Sequence, residues 1–434
     1  RRMEADGVAL RPLLRTVGGD GNIQLNSIES LLERRAWIYD AYPAVSTART
    51  TPSEAAAGVI RIFRQHREGT GGASYEVRFT EARATEIAFS PVLDSDDAEW
   101  LLDIDGRRAT GAAIVWDEMV SKLYGDRFPR ALARGPAKPL RITLKSGEGE
   151  KTLDTIRDLY ARFYHAGFER GATVIAVGGG VVTDVVGFAA ATYLRGLGLV
   201  NIPTTLLGQV DAAVGGKTGV DFEGSKNLIG SFYPADTVVI DMSALRSLPV
   251  PRLREGLAEM IKIAMVRDPG LLSALAELSS AEEILTREDL IRRSVRNKVE
   301  CVNHDPLELS GERALLNFGH TIGHALESVA EYAIPHGECV AMGMAAEARM
   351  ALRLGCIDQS VVDALTSAIL GLGLPLDMPD VDPNALIDAM RKDKKRTGGR
   401  IRMVVPKGIG SAELLPVEEG DILATLKPGK VTAA

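Results

Sequence analysis

Six histidines occur in the 434 residues, and His320, His324 and His336 fall within one short stretch. His320 and His324 stand four apart, so on a helix both project from one face toward a single site. His336 follows Pro335 and precedes Gly337, which predicts a loop returning toward that helix. Neutral imidazoles joined by one carboxylate make an open zinc site, with positions left for substrate oxygens. Glu259 is the candidate carboxylate. It lies in Gly256-Leu257-Ala258-Glu259-Met260-Ile261-Lys262, a predicted amphipathic helix on which a charge is costly unless paired or metal-bound. Hydrogen-bonded core or capping histidines are the competing reading, stronger for a lone histidine than for three together. Thr321, not glutamate, follows His320, so the H-E-x-x-H protease pattern is excluded.

A second chemistry-bearing feature is the apolar run Val174-Ile175-Ala176-Val177 entering Gly178-Gly179-Gly180 and then Val181-Val182-Thr183-Asp184. A strand that turns through glycines into a helix lets backbone N–H groups approach a pyrophosphate. The spacing is not G-x-G-x-x-G, which argues for a nucleotide-binding architecture other than the usual dinucleotide fold. A plain tight turn without ligand explains that segment equally well. Beyond it, Pro203-Thr204-Thr205-Leu206-Leu207 ends another strand. Asp211-Ala212-Ala213-Val214-Gly215-Gly216-Lys217 makes a second glycine turn, and Lys226-Asn227 follow. Two glycine turns with threonine hydroxyls and lysines suit polyphosphate or sugar phosphate better than surface turns alone.

The elements that would position these groups alternate strand and helix up to about residue 245, then become helical. Ala112–Trp116 and Thr173–Val177 read as strands, and 152–167 as a helix. Further helices are predicted over 253–266, 271–285, 289–301, 320–331, 337–354 and 361–372. The pattern predicts an α/β nucleotide-binding domain over 76–245 and an all-α metal- and substrate-binding domain over 246–434. Residues 1–75 form an appended segment without a readable motif. Lys and Arg number 51 against 58 Asp and Glu, without the basic stripe that nucleic acid requires. No apolar run reaches membrane-spanning length. Cys301, Cys339 and Cys356 are odd in number and widely spaced, which predicts neither a disulfide framework nor a zinc knuckle. A cytoplasmic protein without nucleic-acid or membrane partners is expected.

Taken in order and spacing, these motifs resemble the 3-dehydroquinate synthase family over roughly residues 76–410. Asn317-Phe318-Gly319-His320-Thr321-Ile322-Gly323-His324 and His336-Gly337-Glu338 complete the set. Thr183 departs from the glycine usual in the family. The resemblance implies that Glu259, His320 and His336 hold Zn²⁺ or Co²⁺, with His324 kept for substrate. It implies NAD over Gly178, Gly179 and Gly180, with Asp184, Thr204 and Thr205 near its phosphates and ribose. Asp117, Glu148 and Lys151 then fall on the adenosine side, and Lys217 and Lys226 also border the cofactor. Substrate contacts are implied for Arg195, Asp211, Lys217, Asn227, Lys262, Lys298, Arg313, Asn317, His324 and Lys394 or its neighbour Lys395. A homodimer is the expected assembly.

The implied substrate is a seven-carbon 3-deoxy sugar acid with a terminal phosphate. Transient oxidation, phosphate elimination, re-reduction and intramolecular aldol closure would give a carbocycle with no net redox change. A valiolone-type or aminodehydroquinate synthase, an alcohol dehydrogenase that releases NADH, and an idle binding protein on the same fold are the alternatives.

Overall fold

A computed structural model describes residues 83–95, 98–104, 107–125, 128–132, 138–393 and 400–426. The appended segment 1–75, Lys394 and Lys395 lie outside the described residues.

In the first half, strands β1 (Glu86–Phe89), β2 (Asp103–Ile104), β3 (Arg107–Arg108), β4 (Ala112–Asp117), β5 (Leu140–Leu144), β6 (Thr173–Gly178), β7 (Gly198–Pro203), β8 (Lys217–Phe222), β9 (Ser225–Phe232) and β10 (Thr237–Ile240) alternate with helices. Those helices are α1 (Glu118–Tyr124), α2 (Phe128–Leu132), α3 (Leu153–His165), α4 (Gly180–Thr192) and α5 (Leu206–Val210). Six strands pair in the order β1-β10-β7-β6-β4-β5, every neighbour parallel. Parallel strands need crossovers, and crossovers bury both faces. Side chains alternate accordingly. Ala113, Val115, Val174 and Ala176 enter the larger core under α3 and α4, while Ile114, Trp116, Ile175 and Val177 enter a second core on the other face. That two-sided burial is why the strands read as unbroken apolar runs.

Helices then follow: α6 (Val250–Arg267), α7 (Pro269–Ala276), α8 (Glu288–His304), α9 (His320–Val329), α10 (His336–Arg353), α11 (Gln359–Gly371) and α12 (Pro383–Asp393). A hairpin of β11 (Arg400–Gly408) and β12 (Ser411–Glu418) precedes α13 (Glu419–Leu426), so the helical half carries one ribbon in addition to its helices. α6 is buried on nearly every face from Gly256 to Val266, as a central helix should be. A Cβ at Gly256 would come within 2.6 Å of Leu206 Cβ, so only glycine lets α6 lie this close to α5. No helix of the described residues is long and apolar enough to cross a membrane.

Candidate metal and nucleotide site

α9 starts at His320, directly after Gly319, whose φ of +79° is the left-handed conformation that glycine adopts without strain. Buried Glu347 of α10 accepts from Gly319 N at 2.7 Å and Ile322 N at 3.4 Å, which pins the first turn of α9. His336 is the first residue of α10, with Pro335 as its N-cap, and not a loop residue as its neighbours predict. A Cβ on the next residue, Gly337, would come within 3.0 Å of Glu255 O, so this helix start is pressed against α6. The result brings His320 Nε2 to 3.5 Å and His336 Nε2 to 3.3 Å from Glu259 Oε1.

The donor set fits a divalent ion. Glu259, His320 and His336 offer one ligand atom each, all within 4.8 Å of one another. Glu259 is buried and neither of its oxygens accepts an aligned hydrogen bond, although Lys262 Nζ lies against Oε2. Lys262 thus holds Oε2, and Oε1 is left facing the two imidazoles, as a ligand oxygen would. His320 Nδ1 faces Phe318 O at 3.2 Å, and His336 Nδ1 faces Glu327 Oε1 at 3.2 Å. Each ring therefore turns Nε2 inward, as metal-binding imidazoles with an outer partner do. Burial holds His320 well below the usual histidine range, the neutral form a ligand needs. Burial also opposes charge on His336, but the carboxylates of Glu259 and Glu327 beside it raise it to about 10. His324 lies 5.0 Å from His320 and 5.9 Å from His336 between ring centroids. His324→Ala is expected to retain about one zinc per chain while turnover falls on the order of 10²-fold or more. Loss of the metal in that variant, read by elemental analysis, would contradict the division of roles.

Next to Glu259 stands a cluster of buried charge. Lys298 Nζ pairs with Asp211 Oδ1, and Lys262 Nζ lies 3.8 Å from the same oxygen. Arg313 donates from Nη1 to Pro306 O at 2.9 Å and from Nη2 to Gly215 O at 2.6 Å. A Cβ at Gly215 would overlap Arg313 Nη2 and lie 3.7 Å from Lys298 Cε, so the second glycine turn is what admits both cations. Burial holds Lys298 and Arg313 below their usual ranges. Lys217 Nζ pairs with Glu308 Oε2, whose other oxygen accepts from Asn317 Nδ2 at 3.4 Å. Asp305 arranges that loop by accepting from the N–H groups of Leu309, Ser310, Gly311 and Arg313.

The nucleotide candidates converge at the carboxyl edge of the sheet, where open α/β folds bind ligands. A Cβ at Gly178 would lie 3.3 Å from Asp117 Cβ, and one at Gly179 would lie 3.1 Å from Thr205 Cγ2. Thr204 N donates to Gly178 O at 2.9 Å. Lys151 Nζ pairs with Asp184 at 2.7 Å and lies 3.9 Å from Glu148. Burial raises Asp184 to about 6, opposed by Lys151. No side chain caps the N-terminus of α4 at Gly179, and its N–H groups and dipole face this edge. Asp117 caps α1, accepting from Met119 N at 2.8 Å, and also takes Ser146 Oγ at 2.9 Å. Thr183 donates its hydroxyl to Gly180 O at 3.0 Å.

Three of the implied residues stand apart from that cluster or carry other contacts. Arg195 does not join the cluster within this chain. It sits past the far end of α4, just before β7 begins, at the sheet's amino edge and about 20 Å of helix from the glycine turn. Lys226 lies on the metal side, 3.3 Å from Glu327 Oε1. Asn227 (φ +53°) is held by its backbone, its N–H donating to Asp221 Oδ1 at 2.8 Å. Glu308, Glu327 and Glu347 were not singled out by sequence. Glu327 alone carried a signal there, seven residues after His320 on the same helical face.

A parallel sheet with a glycine turn at its carboxyl edge, packed on helices that gather two imidazoles and a carboxylate, is the architecture of the sugar-phosphate cyclases. The 2-epi-5-epi-valiolone synthase of Streptomyces hygroscopicus subsp. jinggangensis 5008, solved with NAD⁺ and Zn²⁺, superposes with a TM-score of 0.73 at 28% identity, covering 81% of this chain and 98% of that one. A 2-deoxy-scyllo-inosose synthase complexed with carbaglucose-6-phosphate, NAD⁺ and Co²⁺ gives 0.70 at 26% identity, covering 80% and 96%. Residues 141–255 match the 3-dehydroquinate synthase N-terminal family model and 256–396 its C-terminal counterpart. The 3-dehydroquinate synthase of Xanthomonas oryzae pv. oryzae strain PXO99A is 42% identical over 81% of this chain and 98% of its own length. The chain belongs to the 3-dehydroquinate synthase family.

Proposed function

We propose that this protein is an NAD- and metal-dependent lyase that converts 3-deoxy-arabino-heptulosonate 7-phosphate to 3-dehydroquinate and phosphate. The observation that carries the reading is the adjacency of two sets of groups. Glu259 belongs to the candidate metal set and also contacts Lys262, which with Lys298 faces Asp211. When bound, the metal supplies Lewis acidity toward vicinal substrate oxygens and NAD a reversible hydride acceptor.

The chain's own residues bind and orient. Lys298 and Arg313 are buried cations, and Arg313's two donations go to neutral carbonyls. A substrate carboxylate relieves the desolvation of Arg313, which a neutral sugar does not. That favours the acid over sedoheptulose 7-phosphate. Lys217 is half exposed and is suited to phosphate together with His324. Anchoring both ends keeps elimination and ring closure intramolecular.

The test is phosphate release from the acid, its amino analogue and sedoheptulose 7-phosphate, assayed side by side with absorbance at the NADH band. Phosphate release from the acid without NADH accumulation is expected, abolished by a chelator and restored by Zn²⁺ or Co²⁺. Preference for sedoheptulose 7-phosphate, net NADH production, or full activity without metal would overturn the reading.

A further inference from the structure

Pro306 cannot continue α8, and Asp305 before it, the C-cap, has already left the helical region at φ −142°. The chain must then turn to reach Arg313, and the buried carboxylate of Asp305 folds that turn. Its Oδ1 accepts from Leu309 N at 2.7 Å and Ser310 N at 3.1 Å. Oδ2 accepts from Gly311 N at 3.0 Å and Arg313 N at 3.2 Å. Bonds from N–H to an ionised carboxylate are among the stronger ones, and they hold left-handed backbone at Glu308 (φ +57°) and Gly311 (φ +91°).

The folded turn then reaches outward to three of the groups read as substrate contacts. Pro306 O accepts from Arg313 Nη1 at 2.9 Å, while Asp305 holds the backbone N–H of the same arginine, so Arg313 is tied to the turn at both ends. Glu308 sets one carboxylate oxygen against Lys217 Nζ, and its other oxygen accepts from Asn317 Nδ2 at 3.4 Å. Lys217 begins β8, far from the turn in sequence. A connector that only joined α8 to the next element would need the Asp305 carboxylate but none of these side-chain contacts.

We propose that Asp305 is a positioning residue of the substrate site: by folding residues 306–313 into one turn, its carboxylate aims Arg313, Lys217 and Asn317 at a common ligand. It touches no substrate itself. It acts through Pro306 O on the guanidinium and through Glu308 on the lysine and the amide. This inference rests on the reading of those three residues as substrate contacts.

The experiment is steady-state phosphate release from 3-deoxy-arabino-heptulosonate 7-phosphate by the NAD- and zinc-saturated full chain. Asp305→Asn keeps the size of the side chain, but its amide NH₂ confronts backbone N–H groups that the carboxylate accepted from. KM should rise ~10–100-fold, the scale of misplacing a binding group by about 1 Å, while kcat changes by less than about threefold and zinc content stays level. A purely structural anchor would instead lower the folded fraction, and kcat with it, and leave KM alone. Asp241→Asn is the control for that outcome. Its buried carboxylate accepts from Leu93 N at 2.9 Å, Ser243 N at 2.8 Å and Ser243 Oγ at 2.6 Å, so its loss should lower the melting temperature with KM unchanged. Gly311→Ala loosens the same turn from its other side. A methyl there meets nothing within 4 Å, so only the strained backbone acts, and KM should rise about threefold or more; this variant decides the matter if Asp305→Asn does not fold. An unchanged KM in the Asp305 and Gly311 variants, or an equal rise in Asp241→Asn, overturns the positioning role and leaves the proposed reaction standing. A wild type that releases no phosphate from the acid removes that reaction, and this inference with it.

Discussion

Replacing Glu259 with Gln is expected to weaken zinc binding by more than the ~10–100-fold that loss of an outer partner costs, and to lower turnover by on the order of 10³-fold. Gln keeps the shape of the side chain but removes the only anion within the ligand set of Glu259, His320 and His336. The remaining imidazoles bind a divalent ion far less tightly, and losing several kcal/mol of Lewis-acid stabilisation corresponds to about a thousandfold in rate. Lys262 keeps Asp211 at 3.8 Å and can donate to the new amide oxygen, so the chain still folds. Elemental analysis and a phosphate-release assay on the same preparation check this. Stoichiometric zinc in the variant would show that the ligands are assigned wrongly.

Gly343→Ala is expected to destabilise the protein by ~2–4 kcal/mol and lower its melting temperature by several degrees. In a helix interior the substitution ordinarily stabilises by ~0.5–1 kcal/mol, so the sign itself is diagnostic. An added Cβ would overlap Gly319 O and come within 2.9 Å of Gly323 N. Both neighbours are backbone atoms, one just before α9 and one in its first turn, and they cannot swing aside as a long side chain would. The helices must separate, and His320 lies between the two displaced glycines. Zinc affinity should therefore fall together with stability. Gly371→Ala is the control, because a methyl there meets nothing within 4 Å. Thermal unfolding of both variants, with and without zinc, decides the matter; an unchanged or raised melting temperature for Gly343→Ala would refute the close crossing.

The convergence of Glu259, His320 and His336 was legible in sequence because residue type does most of the work there. Few roles suit three clustered histidines, and a glutamate on a buried helix needs a partner. Strand β6 and its glycine turn were legible for a similar reason, since an apolar run ending in three glycines has few conformations open to it. Pairing across elements was not legible. Nothing local to Lys226 says that the β8–β9 ribbon carries it to Glu327, and nothing local to Arg195 says which edge of the sheet it occupies. Pro335 is itself a helix-start signal, yet its neighbours also suit a loop, and the packing of Gly337 on α6 decides between them. The β11–β12 ribbon shows alternation, with Ile401 and Met403 buried between exposed Arg400 and Arg402. That period-two signal is short beside the long helical run that precedes it.

The three candidate ligands come from α6, α9 and α10, which meet through contacts that leave no room for a methyl group. An ion held by all three acts as a reversible crosslink among helices remote in sequence. Because it binds the folded chain and not the unfolded one, its binding energy is also folding energy. At a free metal concentration about a hundred times the dissociation constant, that linkage adds ~2.7 kcal/mol. Metal supply would then govern how long the protein survives in its folded form as well as how fast it turns over.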